Sequence, residues 1–153
     1  MNDKKSKNSW DIYFIKMAVF VSTKSKDPST KHGCVIVGPN NEVRSTGYNG
    51  FPRGIDDSEE RYNNREEKYK LVEHSEKNAI YNAARNGISL EGCTLYVTGW
   101  PCNDCARAII QSGISRVVMK DASEEFNERW KESINYTKLM FNECNLEYYI
   151  IEV

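Results

Sequence analysis

From Cys93 to Val153 the chain alternates strand-like runs with helix-like stretches, and this alternation constrains its fold more than any other feature. "CTLYVTG" is rich in β-branched and aromatic residues and reads as a strand. A helix follows over Cys105–Ser112 and stops at Gly113. "SRVVMK" is the next strand, and residues 124–143 carry a long helix with Trp130, Ile134, Leu139, Met140 and Phe141. "LEYYIIEV" closes the chain as a further strand. Strands joined through a helix lie parallel with a right-handed crossover. Upstream, "CVIVGPNNEVRSTGYNG" reads as two more strands joined by a tight turn over Gly38–Asn41. The expectation is an α/β protein, a three-layer α/β/α sandwich around a five-stranded mixed sheet.

The remaining segments fit around that sheet. Residues 1–8 are polar and are expected to form a frayed, flexible tail, with 9–153 as a single domain. Ser9 is expected to cap a helix that places Ile12, Ile15, Met17, Val19 and Phe20 on one face and breaks at Pro28. Residues 51–73 hold Pro, Gly and many charges with weak periodicity, and so long a connection in a compact domain is usually functional. "HSEKNAIYNAARNG" is a helix that buries Ala79, Ile80, Ala83 and Ala84 and ends at Gly87.

Charge and cysteine content narrow the function. The 21 Lys and Arg residues nearly balance 22 Asp and Glu, for a net charge of −1. Such a chain lacks the basic field that holds a long nucleic acid by its phosphates. Its apolar stretches are too short to span a membrane, and "MNDKKSKNSW" has no signal-peptide core, so a cytoplasmic protein is expected. Five cysteines, an odd number, do not suggest a disulfide framework.

Cys102 and Cys105, in "LYVTGWPCNDCARAII", either grip a metal or pass electrons as a disulfide. Zinc needs more than two protein ligands. Cys34 and Cys93 sit in apolar strands and read as small buried hydrophobes, Cys144 follows a helix, and His32 lies in a polar turn and reads as a solvated surface histidine. His74 differs, because it opens a helix directly after the long connection. The Cys102 segment opens a helix too, and two positive helix ends facing one site favour thiolates. His74, Cys102 and Cys105 with a fourth position open match a catalytic zinc, whose bound water is acidified towards neutrality. Glu76 is the natural proton shuttle beside it.

"HSE" followed by "PCNDC" resembles the His-x-Glu…Pro-Cys-x-x-Cys signature of zinc-dependent nucleobase deaminases. Within that superfamily the chain is most similar to the deoxycytidylate (dCMP) deaminases, through "SKDPSTKHGCVIV", "GYNGFPRGIDD", "HSEKNAI", "LYVTGWPCNDCARAIIQSGI" and the closing helix and strand. The resemblance covers nearly all of the chain after the tail. It implies the cytidine deaminase-like fold and the reaction of dCMP with water to give dUMP and ammonia, on the way to dTTP. It also implies Zn2+ on His74, Cys102 and Cys105, with Glu76 protonating N3 and then the leaving amine. Ser75 departs from the family, which usually has Ala there.

The resemblance further implies that Asn49 contacts the deoxyribose 3′-hydroxyl, and Lys26, in the Ser25-Lys26-Asp27 loop, is expected to meet the 5′-phosphate. The family is often allosteric, with dCTP activating and dTTP inhibiting through a Mg2+-bound triphosphate. That implies a regulatory site on Tyr48, Asn49, Gly50, Phe51, Arg53, Gly54, Asp57 and Arg65, with further basic residues Arg61, Lys68 and Lys70 downstream. Hexameric homo-oligomers are common in the family.

Four other readings compete. A thioredoxin-like redox protein also keeps Trp near Cys-x-x-Cys between a strand and a helix. It leaves His-Ser-Glu unexplained, and the pair falls late in the chain. A structural zinc module lacks a fourth ligand at convincing spacing. A tRNA-editing adenosine deaminase shares His-x-Glu but calls for a basic surface, whereas nucleoside cytidine deaminases usually place Cys where His74 stands.

Overall fold

The computed structural model describes residues 3–153. In chain order its elements are α1 (Ser9–Ser22), β1 (Gly33–Val37), β2 (Val43–Tyr48), α2 (Glu59–Asn63), α3 (Arg65–Leu71), α4 (Ser75–Arg85) and β3 (Thr94–Val97). They continue with α5 (Asn103–Gln111), β4 (Arg116–Lys120), α6 (Glu124–Arg129), α7 (Lys131–Glu143) and β5 (Glu147–Ile151). The strands form one sheet in the order β2-β1-β3-β4-β5. β1 is antiparallel to β2 and β3, whereas β4 is parallel to both β3 and β5. This is the mixed five-stranded sheet expected from the alternation.

Successive strand residues point to opposite faces, which divides the core in two. On one face α1 lays Phe14, Ile15 and Ala18 against Val35, Val37, Tyr96, Val118 and Ile151. On the other, Ala79, Ala83, Ala106, Ile109, Ile134 and Phe141 from α4, α5 and α7 cover Cys34, Ile36, Leu95, Val97, Val117 and Met119. Two glycines set how closely the helices approach. A Cβ on Gly33 would strike the carbonyl oxygen of Ala18 in α1, and a Cβ on Gly47 would strike the backbone of Ser75 and Ala79 in α4. Helix backbone therefore lies directly on strand backbone at both points.

Several local expectations are corrected. Asn8, not Ser9, caps α1, its side chain accepting from Trp10 N at 2.9 Å. The buried face of α1 is Asp11, Phe14, Ile15 and Ala18, while Phe20 is 76% exposed. An ion pair turns the helix this way: Arg116 donates to both oxygens of Asp11 at 2.8 and 2.7 Å, joined by Tyr96 Oη and Ser6 Oγ. Residues 4–6 of the tail are held where fraying was expected, since Ile150 N donates to Lys4 O and Ser6 N to Ile150 O, and residues 1–2 of that tail lie outside the described residues. This contact gives β5 partners on its outer edge, which would otherwise present open donors and acceptors. The long C-terminal helix breaks at Trp130 into α6 and α7, and Ala84 is exposed. The connection 51–73 contains α2 and α3, and a bridge between Gly50 and Glu73 ties its ends together.

Two substitutions test this frame. Gly47→Ala forces α4 off the sheet; we expect a loss of roughly 3 kcal/mol in urea unfolding and a lower zinc content in the purified protein. Asp11→Asn strands the Arg116 guanidinium, at a cost of roughly 3 kcal/mol. Burial opposes the Asp11 charge, but the Arg116, Ser6 and Tyr96 hydrogen bonds outweigh it and hold the carboxyl below its ordinary range. Its stabilisation is therefore complete above the unfolded carboxylate pKa and fades as pH falls through the lowered one. Urea titrations across acid pH should show that slope in the parent and a shallower one in Asp11→Asn.

Candidate active site

The site lies where α4 and α5 begin, next to the ends of β1 and β3. His74 occupies the N-cap position of α4 in extended conformation and makes no capping bond with its side chain, so the imidazole is free to face away from the helix. Cys102 occupies the N-cap of α5, and its Sγ accepts from Cys105 N at 3.4 Å. A Cys-x-x-Cys pair at a helix start thus turns both sulfurs the same way. The two helix starts are fastened together by an ion pair between Lys77 and Asp104. The Pro101–Asn103 turn is braced from α7, where Thr137 Oγ1 donates to Pro101 O at 2.9 Å and Ser133 Oγ accepts from Asn103 N at 2.9 Å.

The ligand atoms of His74, Cys102 and Cys105 all lie within 4.8 Å of one another. His74 Nδ1 is 3.4 Å from Cys102 Sγ and 3.5 Å from Cys105 Sγ. Ordinary Zn–N and Zn–S bonds at a tetrahedral angle place nitrogen and sulfur about 3.5 Å apart. The donor set and its spacing therefore both fit zinc. The cluster already carries charge separation. The Cys105 thiol hydrogen-bonds Cys102 and, with His74, draws the Cys102 thiol down to about 4 against the effect of burial. The same sulfur pushes His74 up to about 9. Cys105, bonded to Cys102 and buried, is pushed up.

Glu76 sits in the first turn of α4, is 5% exposed, and accepts a 2.7 Å hydrogen bond at Oε1 from Ser75 Oγ. Its carboxylate and the Cys102 end of the ligand cluster line a cavity of about 370 Å3. Trp100, Phe126 and Trp130 line that cavity with aromatic side chains, and Asn49 and His32 line it with polar ones. This volume and lining suit a small ligand with one flat ring.

Comparison with known proteins decides the family. The model for the cytidine and deoxycytidylate deaminase zinc-binding region matches residues 8–121. The chain belongs to that family. It is therefore an enzyme, a deaminase. An uncharacterized deaminase from the luxG 3′ region of Aliivibrio fischeri is 43% identical over 140 residues, covering 92% of each chain. The human deoxycytidylate deaminase is 36% identical over 138 residues, covering 87% of this chain and 74% of the human one. A crystal structure of a dCMP deaminase from cyanophage S-TIM5 in complex with dCMP and dUMP superposes with a TM-score of 0.74 at 25% identity, covering 95% and 98% of the two chains. The sheet and its helices thus have the cytidine deaminase-like fold.

Within this deaminase the residues singled out from the sequence fall into three groups. His74, Cys102 and Cys105 are brought into one cluster, and Glu76 shares the cavity wall with His74 and Cys102. Asn49 reaches the cavity, but its side chain also ties down the loop before β1: Oδ1 accepts from His32 N at 2.8 Å and Nδ2 donates to Thr30 O at 2.9 Å. Ser25 lies behind that loop, with Oγ donating to Asn49 O. Lys26 is not brought to the cavity; it is 66% exposed and pairs with Asp57 at 2.9 Å.

The residues expected to bind an effector are spread out. Phe51 stacks on Tyr62 at 4.1 Å, Arg53 donates to Asn82 Oδ1, and Gly50 is bonded to Glu73. Tyr48 is exposed and Gly54 has φ of +84°. Arg65 leaves this group and joins the cavity wall.

Sequence reasoning missed His32, Lys68, Tyr69, Phe126 and Arg129 as cavity residues. His32 is not a solvated histidine. Its Nδ1 lies 3.0 Å from Thr98 Oγ1, its ring packs on Phe126, and burial lowers its pKa. Its position one residue before a strand buried along its whole length was the available signal. Lys68 is neutralised by Asp27 at 2.8 Å, a pairing between segments 41 residues apart that no local pattern announces.

Zinc binding must displace the protons held by His74 and Cys105, whereas Cys102 is already a thiolate near neutrality. Loading the metal-free protein with zinc at pH 7 should release about two protons per ion. Calorimetry in buffers of different ionisation enthalpy reads that number. Because His74 becomes more fully protonated as pH drops below about 9, the apparent affinity should fall on acidification.

Proposed function

We propose that the protein catalyses the hydrolytic deamination of dCMP to dUMP and ammonia. One observation carries this reading: a buried carboxylate, Glu76, stands beside a His/Cys/Cys cluster of zinc spacing at the wall of a cavity sized for one ring. The names of the human and cyanophage relatives support dCMP as the substrate.

Zinc, when bound, makes hydroxide available from water near neutral pH. The chain does the rest. The aromatic faces of Trp100, Phe126 and Trp130 hold the pyrimidine ring and exclude water. Asn49 holds the sugar through its 3′-hydroxyl. Ser75 Oγ fixes one oxygen of Glu76 and leaves the other to face the ring. Glu76 accepts the proton that water gives up and delivers it to N3 as the new C4–O bond forms. The C4 hydroxyl then gives its proton through the same carboxylate to the exocyclic amine, the C4–N bond breaks as the C4 carbonyl forms, and ammonia leaves. Ser75, where the family usually has Ala, therefore acts as a positioning residue on Glu76.

The same reading includes regulation. We propose that dCTP activates and dTTP inhibits through a Mg2+-bound triphosphate along Tyr48–Asp57, a segment that apart from Asn49 lies outside the cavity and carries Arg53 and the exposed Tyr48. Trp10, Tyr13 and Phe20, exposed on α1, suit burial in a homo-oligomer, for which we propose the hexamer. The product feeds dTTP synthesis in the cytoplasm, a compartment that suits five free cysteines. No helix among the described residues is long and apolar enough to cross a membrane.

Ammonia release from dCMP by the zinc-loaded protein tests the reading directly, and no release overturns it. Glu76→Gln should bind dCMP with affinity close to that of the parent and lose turnover by about 10³-fold. In the parent, addition of dCTP with Mg2+ should raise the rate at low dCMP.

A further inference from the structure

Two guanidinium groups converge on one phenol at the mouth of the cavity. Arg65 Nε donates to Tyr69 Oη at 3.2 Å, from α3, and Arg129 donates to the same oxygen at 3.1 Å, from the end of α6. All three residues line the cavity that Glu76 and Cys102 line. Among the described residues neither arginine has a carboxylate within 4.0 Å, whereas Lys68 nearby is cancelled by Asp27. Like charges do not gather on a neutral acceptor without a reason, because each guanidinium repels the other and gains only a neutral hydrogen bond. Aromatic rings hold both in place: Arg65 lies 5.7 Å from the Tyr69 ring centroid and Arg129 6.0 Å from that of Trp130. With Tyr69 Oη accepting from both, its own hydrogen is free to donate outward.

We propose that Arg65, Arg129 and Tyr69 form an anion subsite that takes the 5′-phosphate of the nucleotide whose ring meets Glu76. The identity of the nucleotide rests on the deaminase reading above; the anion subsite rests on the two unpaired arginines alone. Guanidinium forks suit a phosphate monoester because they donate paired hydrogen bonds to its oxygens, and the dianion compensates both charges. This subsite replaces Lys26, which the fold holds away from the cavity with Asp57. It makes the enzyme discriminate nucleoside monophosphates from nucleosides. Because the subsite joins α3 to α6, a bound phosphate would fasten two elements that are 60 residues apart at Tyr69 and Arg129.

The test is calorimetric titration of the zinc-loaded protein with dUMP, deoxyuridine and inorganic phosphate. The variants are Arg65→Gln, Arg129→Gln and the double substitution, with zinc content and melting temperature checked for each. Each single change should weaken dUMP by about 10- to 100-fold, the range for a hydrogen bond to a charged group. The double change should weaken it further, and deoxyuridine affinity should stay within about two-fold of the parent because the lost contacts touch only phosphate. Parallel loss of dUMP and deoxyuridine, or dUMP binding indifferent to both arginines, overturns the subsite and leaves the deaminase reading standing. Arginine-dependent binding of inorganic phosphate with no binding of either uracil compound supports the anion subsite and overturns the reading of dCMP as the substrate.

Discussion

The site depends on one close contact, the backbone of α4 resting on the backbone of β2 at Gly47. No side chain stands between them, so the height of α4 above the sheet is set by hard contact rather than by a deformable layer. His74 and Glu76 hang from the start of that helix, and their positions inherit its rigidity. The Cys102 turn is held as firmly from another direction, because Thr137 and Ser133 of α7 bond its backbone. Metal ligands placed to within tenths of an ångström need supports of this kind.

Electrostatics at the two helix starts complete the arrangement. The Cys105 thiol, His74 and the Cys105 backbone N–H at the helix start together hold Cys102 as a thiolate against the effect of burial. The cluster thus has the spacing for a dication and one ready thiolate before the ion arrives, and two protons remain to be displaced. Glu76, buried beside it, needs a hydrogen bond, and Ser75 provides one from the neighbouring position. An Ala there would leave that carboxylate oxygen to water or substrate alone.

The two ends of the cavity are built differently. The chemical end is carried by the sheet and the two helices packed on it. The open end is carried by α3 and α6, short elements inserted in connections, with the break at Trp130 turning α6 towards the cavity. Specificity groups on such connections can vary without disturbing the metal end. The neutral pair of Lys68 with Asp27 and the unpaired pair of Arg65 with Arg129 show how position, not residue type, decides which cations remain available.

Much was legible in the sequence because it is written locally. Short runs of β-branched and aromatic residues, separated by helix patterns, marked the strands and the mixed sheet. His-Ser-Glu and Pro-Cys-x-x-Cys, each at a helix start, pointed to the three side chains that cluster and to the carboxylate beside them, since a helix N-terminus orients the side chains of its first residues. Other features arose only from packing between distant segments. Which face of α1 is buried followed from Asp11 meeting Arg116 across 105 residues, and not from hydropathy, which favoured Phe20. The cavity role of His32, the removal of Lys26 to Asp57 and the convergence of Arg65 with Arg129 likewise depend on where connections are carried in space. Local periodicity reports which residues face a core; it contains no information about which charged side chains from separate loops will meet.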